Sequence, residues 1–259
     1  GYIGTTLAEV LLEKNIQVVC PVRNEKPHKK KENIVFVDMS QIEIFLETSK
    51  AKPTTVISCI ASRKGGITDS WDVEYTLNKF FLNLSKKVGI NRFILLSALC
   101  VQKPTLEFQK AKLAFENLLK NSTIEYEIIR PTAFFKSLSG QINRVRSGKP
   151  FIVFDSGEKT SCKPISRADL ARYICECLTN TSREKKILPI GGPGPAVTPN
   201  DQADLLFKNS KHKKKIRRVP SWIFLLFAFL LSPFCFFSIK LANLREFMRI
   251  AHFYATESM

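Results

Sequence analysis

The feature that most constrains this chain is a rhythm. Five short apolar runs precede residue 131, at 16–22, 34–37, 54–61, 92–98 and 125–130, and stretches of helical periodicity separate them. Runs such as TTVISCIA (54–61) and RFILLSA (92–98) are apolar at almost every position, so both faces of such a strand must be covered. The intervening segments, at 41–46, 71–88 and 106–120, repeat apolar residues at helical spacing, and Gly89 supplies a stop for the second. Alternating strands and helices predict an α/β fold with a doubly wound parallel sheet.

The later chain is less regular. Residues 149–154 and 186–190 read as further strands, with a helix at 168–178 between them. GGPGPAVTP (191–199) is a turn-rich connection, followed by the basic run KHKKKIRR (211–218) and the charge-free stretch 220–239. A nucleotide-binding domain is expected over 1–178 and a smaller substrate-side region over 179–259.

The opening GYIGTTLAEVLLEKN predicts what the sheet carries. Gly1 and Gly4 take the places of the last two glycines of a dinucleotide fingerprint, and a helical run follows at once. In that motif one glycine lets backbone approach a pyrophosphate and the other lets the helix pack close to a strand. The helix amides, here those of Tyr2, Ile3 and Gly4, then face the anion. An apolar strand and a further Gly are expected upstream. Arg23, at the tip of the next strand, stands where an acidic residue would bind the ribose of NAD; a cation there favours the extra phosphate of NADP. Asp38 closes the following strand as an adenine contact or a helix cap. Ser58, Cys59, Ile60 and Ala61 end the third strand, at the edge where such sheets hold nucleotides. The expected class is a Rossmann fold binding NADPH.

Composition narrows the partners. The net charge of +17 favours anionic ligands, although much of the excess sits in two runs, 26–31 and 211–218, that also read as solvated surface. Seven scattered Cys without a CxxC suit reduced thiols, and three His in lysine runs or near the tail form no metal set. No aromatic-interleaved basic strand or recognition helix supports nucleic-acid binding.

The stretch LLSALCVQKPTLEFQKAKLAFENLL bears on the chemistry. A strand ends at Ser97, and the next helix carries Phe108 and Lys112 four residues apart on one face. Short-chain dehydrogenases place a Tyr-x-x-x-Lys pair here, the Tyr giving a proton and the Lys holding the nicotinamide ribose. Phe108 has no proton to give, so carbonyl–alcohol chemistry by that route is excluded.

SALCVQKPTLEFQKAKLAFE, RPTAFFKSLSGQ (130–141), CKPISRADLA (162–171), LPIGGPG (188–194), ASRKGGITDSW (61–71) and the closing YATESM resemble the divinyl chlorophyllide 8-vinyl reductases. These are NADPH-dependent, atypical short-chain dehydrogenases of chlorophyll synthesis. The resemblance covers nearly the whole chain. It implies reduction of a vinyl group on a divinyl chlorophyllide or protochlorophyllide, in a plastid. It also implies that Lys112 holds the nicotinamide ribose and that Pro131 is a cofactor contact. Phe108, Phe134 and Phe135 are candidates for the pigment slot, and Lys136 and Lys163 for its carboxylate. The proton donor stays open among Ser97, Cys100 and water. A non-catalytic NADP-binding regulator of the NmrA-like type is the alternative that loss of the Tyr also allows.

The tail departs from the family's pattern, because residues 219–239 are uncharged where a moderately amphipathic helix is expected. A helix packed on the cleft, a peripheral membrane anchor over 211–239 and a membrane span are all open, with Pro233 counting against the span.

Overall fold

The computed structural model describes residues 1–23, 33–50, 52–63 and 65–259. The basic run at 26–31 lies outside the described residues. From the start the elements are α1 (Tyr2–Glu13), β1 (Val18–Val22), β2 (Ile34–Asp38), α2 (Ile42–Thr48), β3 (Thr55–Ser58) and α3 (Ile67–Ser70). A π-helical stretch (Trp71–Thr76) runs on into α4 (Leu77–Val88), before β4 (Arg92–Leu96), α5 (Glu107–Lys120) and β5 (Glu125–Pro131). Then come α6 (Phe135–Leu138), α7 (Ile142–Arg146), β6 (Phe151–Phe154), α8 (Arg167–Cys177), β7 (Lys186–Ile190) and α9 (Pro199–Lys208). The chain continues with β8 (Ile216–Val219), α10 (Trp222–Leu231) and α11 (Ile239–Thr256).

Strands β3, β4, β5 and β7 form a parallel sheet in the order β3-β4-β5-β7, and β1 pairs in parallel with β2. The continuous apolar runs are explained by their two faces. Phe93 and Leu95 of β4, with Ile128 of β5, point into a core built with Phe81 and Leu82 of α4 and Phe115 and Leu119 of α5. Ile94, Leu96 and Ile129 point the other way, onto Leu7 and Leu11 of α1 and Leu170 and Ile174 of α8. Each such side chain, taken out of water, contributes roughly 1.5–3 kcal/mol. The sheet is therefore covered on both faces, as its sequence predicts.

Three segments differ from expectation. The helix expected over 71–88 begins at Ile67 and is widened at Trp71–Thr76, where the amide of the Asn78 side chain donates to the Glu74 carbonyl at 2.9 Å. It stops as predicted at Gly89, whose φ of 79° is left-handed. The strand expected at 149–154 lies outside the main sheet and pairs with β8, which falls within and just beyond the basic run. Its Phe151 and Val153 are buried against Val145, Ala203 and Phe207, so this pair and α9 share a small second core. Strand β7, in the region expected to be separate, instead extends the main sheet through β5.

The charge-free stretch does not form one long helix. α10 ends where Pro233 enters a short 3-10 turn (Ser232–Phe234), and the chain doubles back as α11, packed on α10 and on α3. Among the described residues no helix is long and apolar enough to cross a membrane.

Candidate active site at the carboxyl edge of the sheet

The parallel strands all end at one edge, and the loops leaving β3, β4, β5 and β7 meet there. In open α/β sheets this is where ligands bind. The first-turn amides of α1 face it without competition: Gly1 caps the helix with no side-chain bond and no acidic residue lies in the first turn. Gly4 packs towards Cys59, 3.8 Å from where its own Cβ would stand. Two cations gather over Tyr2: the Lys136 ammonium lies 4.7 Å and the Arg167 guanidinium 5.6 Å from the ring centroid, with the Phe134 ring 6.3 Å away. Uncapped amides and two nearby cations fit the pyrophosphate of a dinucleotide. Arg23 is exposed just beyond β1. Asp38 closes β2, where bonds from the Ser40 hydroxyl (2.6 Å) and amide (2.8 Å) hold its carboxyl below the usual range. Those bonds form a local turn and leave its second oxygen for a ligand.

The exit of β3 leads to a buried polar network that sequence reasoning only half foresaw. Lys112 on α5 is 9% exposed, and its ammonium donates to Glu74 Oε2 at 2.7 Å. The other oxygen of Glu74 accepts from the Ser62 amide (2.8 Å) and hydroxyl (3.1 Å). Glu74 was not anticipated. It lies in the π-helical stretch, which turns it inward, and no sequence pattern marks an i→i+5 turn. Asn78 fixes that turn from below and accepts the Ser58 hydroxyl at 2.5 Å. Ser58, Ser62, Glu74, Asn78 and Lys112 thus tie the β3 exit, the wide turn and α5 into one unit. Cys59, beside it, is pushed up to about 12 by burial and stays a thiol. Ile60 is half-buried and Ala61 exposed in the same exit loop.

Ser97, beyond β4, is buried and donates to Glu116 at 2.6 Å; Glu116 is held in turn by Arg130. Phe108 is 8% exposed, packed with Cys100 and Leu106 under Phe253 of α11. The tail reaches the site in this way. One residue on, Tyr254 is 46% exposed. Burial, then Cys100 and the Glu74 carboxylate, push that phenol above its ordinary range. Burial likewise raises Cys100, against the pull of Lys112. The tail therefore brings a phenol to this side of the molecule, on α11 rather than on α5. Sequence reasoning missed it because 142 residues separate Tyr254 from Lys112.

The strand ends also frame a pocket of about 290 Å³, lined by Leu99, Thr132, Lys163, Pro189, Ile190, Gly191 and Met259. Pro131 is buried at the end of β5, next to Thr132 of this lining. Met259 is held by its amide on the Ser161 carbonyl at 2.9 Å, and the Ser258 hydroxyl accepts from the Ser161 amide at 3.0 Å. Lys163 therefore belongs to the pocket. Lys136 stands over Tyr2 instead, and Phe135 is 55% exposed. Among the described residues no group of His, Cys, Asp and Glu could hold a metal ion.

Residues 1–181 match the model of the NAD(P)H-binding family. The chain is 39% identical over 280 aligned positions to the chloroplastic divinyl chlorophyllide a 8-vinyl-reductase of Arabidopsis thaliana, and 36% over 278 to that of Zea mays. All of this chain is covered, with 67% and 69% of those proteins, so it spans about two thirds of their length. The photosystem II assembly factor Ycf39 of Cyanophora paradoxa is 27% identical over 235 positions, covering 85% of this chain and 69% of that protein. Among solved structures, UDP-glucuronic acid 4-epimerase from Bacillus cereus in complex with NAD superposes with a TM-score of 0.71 at 17% identity, over 85% of this chain and 83% of that one. The fold is thus the Rossmann type, with a nicotinamide nucleotide as cofactor. The chain belongs to the divinyl chlorophyllide a 8-vinyl-reductase family of NAD(P)H-binding proteins.

Proposed function

We propose that this protein reduces the 8-vinyl group of a divinyl chlorophyllide or protochlorophyllide to an ethyl group, with NADPH, in a plastid. The observation that carries this reading is the Lys112–Glu74–Ser62 network at the sheet's carboxyl edge with the Tyr254 phenol beside it. The nicotinamide nucleotide, when bound, supplies a hydride to an alkene carbon; the second carbon must then take a proton. The uncapped amides of α1 hold the pyrophosphate, with Lys136 and Arg167 adding positive charge, and Arg23 selects the 2′-phosphate. Lys112, aimed by its bond to Glu74, orients the nicotinamide ribose. Tyr254 donates the proton from its hydroxyl, in a position that Ser97, committed to Glu116, does not share. Phe108 supports this phenol by packing under Phe253. Lys163 takes the pigment's carboxylate at the pocket between the ends of β5 and β7.

Incubation with divinyl chlorophyllide and NADPH tests the reading. It requires a product heavier by two hydrogens and one NADPH consumed for each pigment reduced. Pigment returned unchanged beside bound NADPH would favour a second reading, a non-catalytic NADP-binding assembly factor, which the similarity to the Cyanophora paradoxa protein supports.

A further inference from the structure

The hairpin of α10 and α11 carries a surface that neither the fold nor the nucleotide site uses. α10 reads WIFLLFAFLL and buries only Ala228 among its residues. Its inner side is fixed to the sheet pair β6–β8: the Phe224 and Phe154 rings lie 5.0 Å apart, and Ser221 is held by Asp155 through its amide (2.9 Å) and hydroxyl (2.7 Å). Its outer side is open. Trp222, Leu225, Leu226 and Phe229 recur at one-turn spacing, are exposed, and continue into the hairpin tip, where Phe236 is 95% and Phe237 88% exposed. A contiguous apolar patch of this kind marks an interaction surface.

Its surroundings identify the partner. Between Asp204 and Glu246 there is no acidic residue, while nine Lys and Arg occur. Most of the nine lie in the exposed run just before α10, and Lys240 lies just past the tip. An apolar face bordered by cations of one sign complements a surface that is apolar inside and anionic at its rim. A bilayer containing acidic lipid is such a surface, and a Trp at the entrance to the apolar face suits its interface. α10 is too short to cross: ten residues rise about 15 Å against a hydrocarbon core of roughly 30 Å.

We infer that the α10–α11 hairpin docks the protein on an anionic lipid surface, with the apolar face of α10 and the Phe236–Phe237 tip entering the interface and the 211–218 cations on the headgroups. This holds whichever reaction the nucleotide site performs, because no residue of the docking face belongs to that site.

Flotation with vesicles tests it, using the intact chain in reducing buffer. The protein should float with vesicles of phosphatidylcholine mixed with phosphatidylglycerol and remain behind with phosphatidylcholine alone. Trp222 fluorescence should shift to the blue on binding. F236S/F237S alters side chains that touch little else, so its thermal unfolding should be unchanged while its vesicle affinity falls by about tenfold or more. K213E/K215E should lower binding to the acidic vesicles. The inference is overturned if the folded protein stays with neither vesicle, or if F236S/F237S floats like the unaltered chain. It is equally overturned if the patch proves to be covered by a second copy, seen as a dimer that F236S/F237S dissociates and vesicles leave intact.

Discussion

Lys112 and Tyr254 are the two side chains on which the proposed chemistry turns, and they fail in different ways. Removing the Lys112 ammonium leaves the Glu74 carboxylate buried beside only Ser62, so Lys112→Ala should cost about 3–5 kcal/mol of stability, read by denaturant unfolding, as well as weakening nucleotide binding. Tyr254→Phe keeps the ring and its contact with Phe253, centroids 5.8 Å apart, and removes only the proton. Turnover should fall by about 10²–10⁴ with NADPH affinity unchanged, as measured by steady-state rates and nucleotide titration. The same residue fixes the pH dependence. The active form is the neutral phenol, and burial raises its pKa, so the alkaline loss of turnover should come above pH ~10 rather than below it. A wild-type loss well below that value would remove Tyr254 from the role. Arg23→Asp should reverse or erase the preference for NADPH over NADH, by about tenfold in the ratio of affinities.

At the scale of elements, the sheet and its covering helices were legible because their signal is local. Continuous apolar runs such as 92–98 had to be buried on both faces, and Gly89 had to end a helix. The wide turn at Trp71–Thr76 was not legible, since the spacing around Glu74 is that of any helix and only Asn78 and Lys112, met in space, give it a purpose. β8 was hidden for a similar reason: Arg217 and Arg218 point to solvent, so its four residues read as part of a charged run. The glycines beyond β7 mark another close approach. A Cβ on Gly192 would stand 2.0 Å from the Pro164 carbonyl oxygen, backbone that cannot give way cheaply. Gly192→Ala should therefore cost about 1–3 kcal/mol, lowering the melting temperature by some 2–12 °C and disturbing the pocket next to Lys163 and Gly191.

Across the whole molecule, the site joins parts far apart in the chain. In the proposed site the nucleotide side would come from α1 and the loop after β3, the cation from α5, and the phenol and Met259 from the tail. The family resemblance named most of these segments, but not that YATESM returns to the β5–β7 edge with Tyr254 beside Cys100. That return depends on the tail being tied at several points: Asn243 accepts the Ile67 amide at 2.9 Å, Glu246 accepts the Glu107 amide at 2.8 Å, and Lys103 pairs with Glu257. The most direct measurement of the central claim is the absorption of divinyl chlorophyllide mixed with this protein and NADPH. The account predicts a blue shift of the Soret band, as one vinyl leaves conjugation, matched by loss of NADPH absorbance and abolished in Tyr254→Phe. An unshifted Soret band, with NADPH bound but not consumed, would contradict it.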